Sequence, residues 1–161
     1  MGGQAGMSAR VQTTDRPSSE LTVVIASGHP LLALGVRGRL EGHGFRVVGE
    51  ATSAKELEAA VRVHRPDICL VDAALPGGAL AAASRARARH SALAVVFLMS
   101  PADADDELAI EAVRSGAIGV LFEDMDPDRL EYALRDVAAG GSALPRMLVP
   151  RLLDELKLPA A

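Results

Sequence analysis

Short β-branched apolar runs alternate five times with segments of helical period, and this alternation constrains the fold more than any other feature of the chain. The runs are LTVVIA (21–26), FRVVGEA (45–51), PDICLV (66–71), LAVVFLM (93–99) and IGVLF (118–122). Each is too short for a helix and rich in Val or Ile, the pattern of a buried strand. Between and after them lie HPLLALGVRGRLEGHG (29–44), SAKELEAAVRVH (53–64), ALAAASRARARH (79–90), ADDELAIEAVRSGA (104–117) and DPDRLEYALRDVAAGG (126–141). The first helix carries Leu31, Leu32, Gly35, Val36 and Leu40 at helical spacing and closes on Gly42 and Gly44. Ser53 with Glu56 three residues on forms a capping box. Asp126 as N-cap, Pro127 at the first helical position and Gly140 past the end delimit the fifth helix.

Strands that alternate with helices build a parallel sheet covered on both faces. Right-handed crossovers and this length favour the flavodoxin-like doubly wound (βα)5 order 2-1-3-4-5, an α/β fold. The chain has 161 residues, enough for one domain with tails. Residues 1–20, rich in Gly, Ser, Thr and Gln and without period, read as a disordered leader. The domain then spans 21–141, and 142–161 form a C-terminal extension with a short helix over 145–157. With three Phe, one Tyr and no Trp, the core has to be built from Ala, Val, Leu and Ile.

In such sheets the working residues lie beyond the C-terminal ends of the strands. Those positions are Ser27, Gly28 and His29 after the first strand, Asp72 after the third, Met99 and Ser100 after the fourth, and Glu123 and Asp124 after the fifth. A carboxylate delivered by a buried strand into a loop with Pro76 and Gly77 serves either chemistry or local hydrogen bonding.

The segments VVIASGHPLLALGVRGRL, VVGEATSAKELEAA, RPDICLVDAALPGG and AVRSGAIGVLFEDMDPDRLEYALRDVAAGGSALP carry a resemblance over residues 21–145. They resemble the receiver domains of two-component response regulators, and among these the receivers that precede a helix-turn-helix DNA-binding output. The resemblance implies that Asp72 matches the carboxylate that takes a phosphoryl group from a histidine kinase. It also implies a Mg²⁺ held by two acids after the first strand, a hydroxyl after the fourth and a lysine after the fifth. Here the acids fall on Ser27 and Gly28, and the lysine falls on Glu123. The hydroxyl falls on Ser100, with Met99 as the competing register. The aromatic three residues before the lysine position is Val120, and the small residue after the phosphoacceptor loop falls near Leu80. Lys55 and Lys157, the only lysines in the sequence, lie on the second helix and in the tail, so neither substitutes. Mg²⁺ requires oxygen ligands in octahedral geometry, and the site is not expected to bind it. Expected cofactors are therefore none.

Three readings of Asp72 stand open: a working phosphoacceptor, a retained carboxylate that hydrogen-bonds nearby backbone amides, or a group that binds a partner or ligand through hydrogen bonds. Ser27, Gly28, Ser100 and Glu123 form either a polar pocket of altered specificity, able to take a small ligand, or a site that has lost its chemistry. The leading expectation is an atypical receiver that acts as a signalling and regulatory protein-interaction module, independent of phosphorylation. The alternative is a conventional response regulator phosphorylated on Asp72, which controls transcription through an output domain or partner outside this chain. No enzyme is expected, for want of a nucleophile–base pair.

Partners are expected to be proteins, including a second copy, and the resemblance places dimerisation on the fourth helix, fifth strand and fifth helix. On the fifth helix, Leu130, Ala133, Leu134 and Val137 form the stripe facing the sheet, leaving Tyr132 and Asp136 on the flank open to a partner. A net charge of −4 with interspersed signs gives no nucleic-acid surface. Arg85 and Arg89 share a helical face that reads as solvated. No run is long enough to span a membrane, the N-terminus lacks a signal-peptide core, and the single Cys69 sits in an apolar run. These features point to a cytoplasmic setting. The four histidines lack metal-ligand spacing.

Overall fold

The computed structural model describes residues 20–102 and 105–157. The expected leader falls outside the described residues but for Glu20. The strands are β1 (Leu21–Ala26), β2 (Phe45–Ala51), β3 (Ile68–Asp72), β4 (Ala94–Met99) and β5 (Gly119–Phe122). The helices are α1 (Pro30–Leu40), α2 (Ala54–His64), α3 (Ala79–Arg89), α4 (Asp106–Arg114), α5 (Pro127–Ala138) and α6 (Val149–Lys157), with a 3-10 turn over Arg146–Leu148. All neighbouring strands pair in parallel, in the order β2-β1-β3-β4-β5.

The period of two along each strand sorts the core into halves. Val24, Cys69, Val71, Val95 and Phe97 face one side, where they meet α2, α3 and α4. Val23, Ile25, Ile68, Leu70, Val96 and Leu98 face the other, where they meet α1 and α5. On the first side the fully buried residues of α3 are all alanines, Ala79, Ala82, Ala83 and Ala86, with Leu80 packed against the same cluster, so small side chains set most of its seat on the sheet. Burial pushes the Cys69 thiol well above its ordinary range, which makes it an inert core residue.

Most local expectations hold in detail. Ser53 Oγ accepts from Glu56 N–H, and Asp126 accepts from Asp128 N–H. The Glu56 carboxylate reaches back to the Thr52 N–H at 2.8 Å, one residue earlier than an ideal capping box requires. On α1 the buried stripe is Ala33, Val36 and Leu40, while Leu31 is 83% exposed. Leu31 directly follows Pro30 in the first turn and lies off that i, i+3, i+7 line. On α5, Leu130, Leu134 and Val137 are buried and Ala133 is half-buried, as the stripe requires.

Past α5 the chain stays on the domain. Val120 N–H donates to Ala143 O at 2.8 Å and Ala143 N–H donates to Ile118 O at 3.1 Å, so this segment lies along the outer edge of β5. Leu148 then enters the core beside α4, and α6 follows.

Candidate functional site

The strand ends that deliver the candidate residues are fixed by backbone hydrogen bonds to neighbouring strands. Ser27 N–H donates to Ala51 O at 2.9 Å, Ala73 N–H to Leu98 O at 2.8 Å and Glu123 N–H to Met99 O at 2.9 Å. Asp72 therefore emerges at the C-terminal edge of a strand buried along its whole length. Its loop is pinned from the far side, where Ala54 N–H donates to Pro76 O at 2.8 Å. Gly77 has φ +94°, and a Cβ there would lie 3.0 Å from the Ala54 Cβ, so both conformation and close approach call for glycine.

The Asp72 carboxylate is 4% exposed and tied on both oxygens. Oδ1 accepts from Ala74 N–H at 2.9 Å, an Asx-type closure of its own loop. Oδ2 accepts from the buried Ser27 hydroxyl at 3.0 Å. Ser27 Oγ in turn accepts from His29 N–H at 3.0 Å, and His29 Nε2 stands 3.8 Å from Asp72 Oδ2. The Ser27 proton is thus committed to Asp72, and the hydroxyl is held by the start of the loop that leads into α1.

Asp72, Ser100 and Glu123 line one cavity of about 390 Å³, together with His29, Ala73, Ala74, Met99 and Leu108. Ser27 hydrogen-bonds to Asp72 but does not line the cavity, and Gly28 packs elsewhere: a Cβ on Gly28 would lie 3.0 Å from Pro76 Cδ. Both Met99 and Ser100 reach the cavity, Met99 being 1% exposed and Ser100 half-buried. Sequence reasoning missed the approach of His29 to Asp72 and the presence of Leu108.

The donor set does not fit Mg²⁺. The two positions that would supply carboxylates after β1 hold a hydroxyl that donates to Asp72 and a glycine backed by a proline ring. Among the described residues, no group of three or more His, Cys, Asp and Glu side chains is placed to hold a metal ion.

The second candidate region is the α5 flank. Tyr132 is 74% exposed, and with Asp136 it borders a groove of about 600 Å³. The groove's floor and far wall come from Phe122, Met125, Ala143, Leu144 and Pro145. Its far wall is therefore the segment that follows α5. Of the α3 arginines, Arg85 makes a forked pair with Glu58 of α2 at 3.0 and 2.8 Å, and Arg87 donates to the carbonyls of Ser91 and Leu93. Among the described residues, no helix is long and apolar enough to cross a membrane.

A family model described as the response regulator receiver domain matches residues 23–135. The nitrate/nitrite response regulator protein NarL of Escherichia coli strain K12 is 32% identical over 139 residues, covering 84% of this chain and 63% of that protein. The probable transcriptional regulatory protein NarL of Mycobacterium tuberculosis strain H37Rv is 31% identical over 145 residues, covering 88% of this chain and 66% of that protein. The chain thus spans just under two thirds of the length of these relatives. A crystal structure of a LuxR-family two-component response regulator from Aurantimonas sp. SI85-9A1 superposes with a TM-score of 0.75 at 27% identity, covering 85% of this chain and 98% of that one.

Proposed function

The chain belongs to the response regulator receiver domain family, and from that premise we propose that it is an atypical receiver, a regulatory protein-interaction module that works without phosphorylation of Asp72. The observation that carries this reading is the closed carboxylate. Both Asp72 oxygens accept hydrogen bonds from the protein itself, and Glu123 shares the cavity onto which Asp72 opens. Phosphoryl transfer draws its catalysis from positioning and charge neutralisation. A phosphoryl group on Asp72 would replace the single carboxylate charge with roughly two negative charges in a cavity already holding an acid. Like charges about 4 Å apart repel by about 4 kcal/mol at an effective dielectric near 20. Ser27 and Gly28 bring no carboxylate, and no lysine stands at position 123 to offset that repulsion.

In this reading the receiver meets its partner through the α5 flank, where Tyr132 and Asp136 border the apolar groove. The partner is a protein, a second copy included, and an output domain or partner outside this chain links it to transcription. The setting is cytoplasmic, and the domain is not an enzyme.

A second reading is favoured by the relatives, whose names are those of response regulators, and by the intact strand end that presents Asp72. In it a histidine kinase phosphorylates Asp72 conventionally. A third, a small-ligand receiver, rests on the cavity shared by Asp72, Ser100 and Glu123.

Labelling with acetyl phosphate in Mg²⁺ separates the first two. We expect no base-labile phosphate on the wild-type protein, and Mg²⁺-dependent labelling only after Ser27→Asp, Gly28→Asp and Glu123→Lys are combined. Robust labelling of the wild type that disappears in Asp72→Asn would promote the conventional reading.

A further inference from the structure

Helix α6 rests on α4, and the charges of the two helices are arranged as complements. Arg151 reaches Asp106 at 3.2 Å and Glu107 at 2.6 Å, both in the first turn of α4. Glu155, four residues on, pairs with Arg114 at the last residue of α4. The two helices therefore run in the same direction, with α4 reading acid then base and α6 reading base then acid. Leu148, 3% exposed, anchors the start of α6 in the core beside Ala109 and Ala112, and Leu152 packs against the same cluster.

An open apolar groove of about 640 Å³ lies along the two helices, lined mainly by Ile110, Val113, Leu144, Val149, Leu152 and Leu153. Leu153 is 51% exposed and Val149 is 41% exposed. The side chains that orient α6 are solvent-facing ion pairs, which hold a helix weakly and are screened by salt. Beyond the anchor at Leu148, what favours the helix on its own chain is the tether: Ala143 is fixed to β5, so α6 acts at high effective concentration over a link of a few residues.

We propose that α4 is a helix-binding surface whose resident occupant is the chain's own α6, and that α6 exchanges between two copies of the chain. Every copy carries both halves of the charge pattern, so a reciprocal exchange reproduces every α4–α6 contact and gives up only the advantage of the tether. A short link under a weakly held element favours such swapping. The exchange rests on neither the phosphorylation state of Asp72 nor the α5 flank.

Two variants test it, both made in the full chain with Tyr132→Ala so that association through the α5 flank does not intrude. One carries Arg151→Glu, which sets its own α6 against Asp106 and Glu107. The other carries Asp106→Lys and Glu107→Lys, which sets its own α4 against Arg151. All three changed side chains are solvent-facing, and circular dichroism checks that both variants remain folded. Each alone has mismatched ion pairs at the start of α4, whereas a one-to-one mixture restores the match in both directions of exchange. Native mass spectrometry of the mixture is expected to show the heterodimer at about tenfold or more over either homodimer, decreasing at high salt. Two folded variants that stay monomeric on mixing, or that form homodimers as readily as heterodimers, would overturn the proposal.

Discussion

After β3, Ala73 N–H crosses the sheet to Leu98 O at 2.8 Å, and after β5, Glu123 N–H crosses to Met99 O at 2.9 Å. The two loops solve the same backbone problem in the same way, at the same edge of the sheet. Their side chains diverge. Asp72 has both oxygens tied within the protein, whereas Glu123 presents a second acid to the same cavity. The difference separates two things usually described together. Placement of a strand end depends on ladder hydrogen bonds and on buried residues such as Phe97 and Leu70. The chemistry carried at that end depends on one or two side chains that contribute little to the placement. A strand end can therefore keep its place while the side chain it carries varies.

The largest effect expected from this contrast lies in the scaffold. Phe97 is 0% exposed, and Phe97→Ala should cost about 3–5 kcal/mol. Glu123→Lys, at the half-buried end of the neighbouring strand, removes no core packing and should cost clearly less. Urea denaturation of the two variants measures the gap. Comparable losses would mean that the strand-end side chain does help to place the loop, and the separation argued above would fail.

The next effect lies inside the site. Ser27→Ala removes the hydroxyl from a carboxylate that is 4% exposed, and should cost about 1–3 kcal/mol. The same change in an Asp72→Ala background should cost much less, since the acceptor is already gone. The double-mutant cycle is expected to give a coupling of about 1–2 kcal/mol. Additive losses would show that Ser27 acts through packing alone, and that Asp72 is held by Ala74 and its own loop.

The sequence carries the scaffold plainly and the site only in part, for physical reasons. Strand and helix identities rest on periods of two and 3.6 and on caps such as Ser53 and Asp126, all of which are local. Asp72 is legible because a buried run followed by Pro76 and Gly77 marks a strand end. His29 is not, because the strand order brings its loop beside Asp72 but the direction of its side chain is set by the turn into α1, which leaves no periodic mark in the sequence. Leu31 points outward because it lies off the line of Ala33, Val36 and Leu40 that seats α1. The seat of α6 is hidden because Arg151, Asp106 and Glu107 meet only after β5 and α5 have brought the chain round.

The smallest expected effect concerns a pair that ties two helices on one face of the sheet. Arg85 of α3 grips Glu58 of α2 in a fork, and this hydrogen bonding, aided by the charges of Arg85, Arg89 and Arg62, holds the Glu58 carboxyl below its ordinary value of 4.5 despite partial burial. A carboxyl whose folded-state value is depressed stabilises the fold above its ordinary value and loses that contribution as pH falls through the folded value. The Glu58 contribution should therefore be complete at neutral pH and disappear only below about pH 4.5. Glu56, held low by its hydrogen bonds to Thr52, adds a parallel slope in the same window. Because the pair lies near solvent, the effect should be small and partly screened by salt. Urea midpoints measured from pH 6 to pH 3 are expected to fall more gently in Glu58→Gln than in the wild type, with the residual slope shared by Glu56. Equal slopes in the two proteins would show that the fork between α2 and α3 is formed without stabilising the fold. In that case the packing of α3 on the sheet and the Arg87 hydrogen bonds to Ser91 and Leu93 would set the position of that helix without the fork.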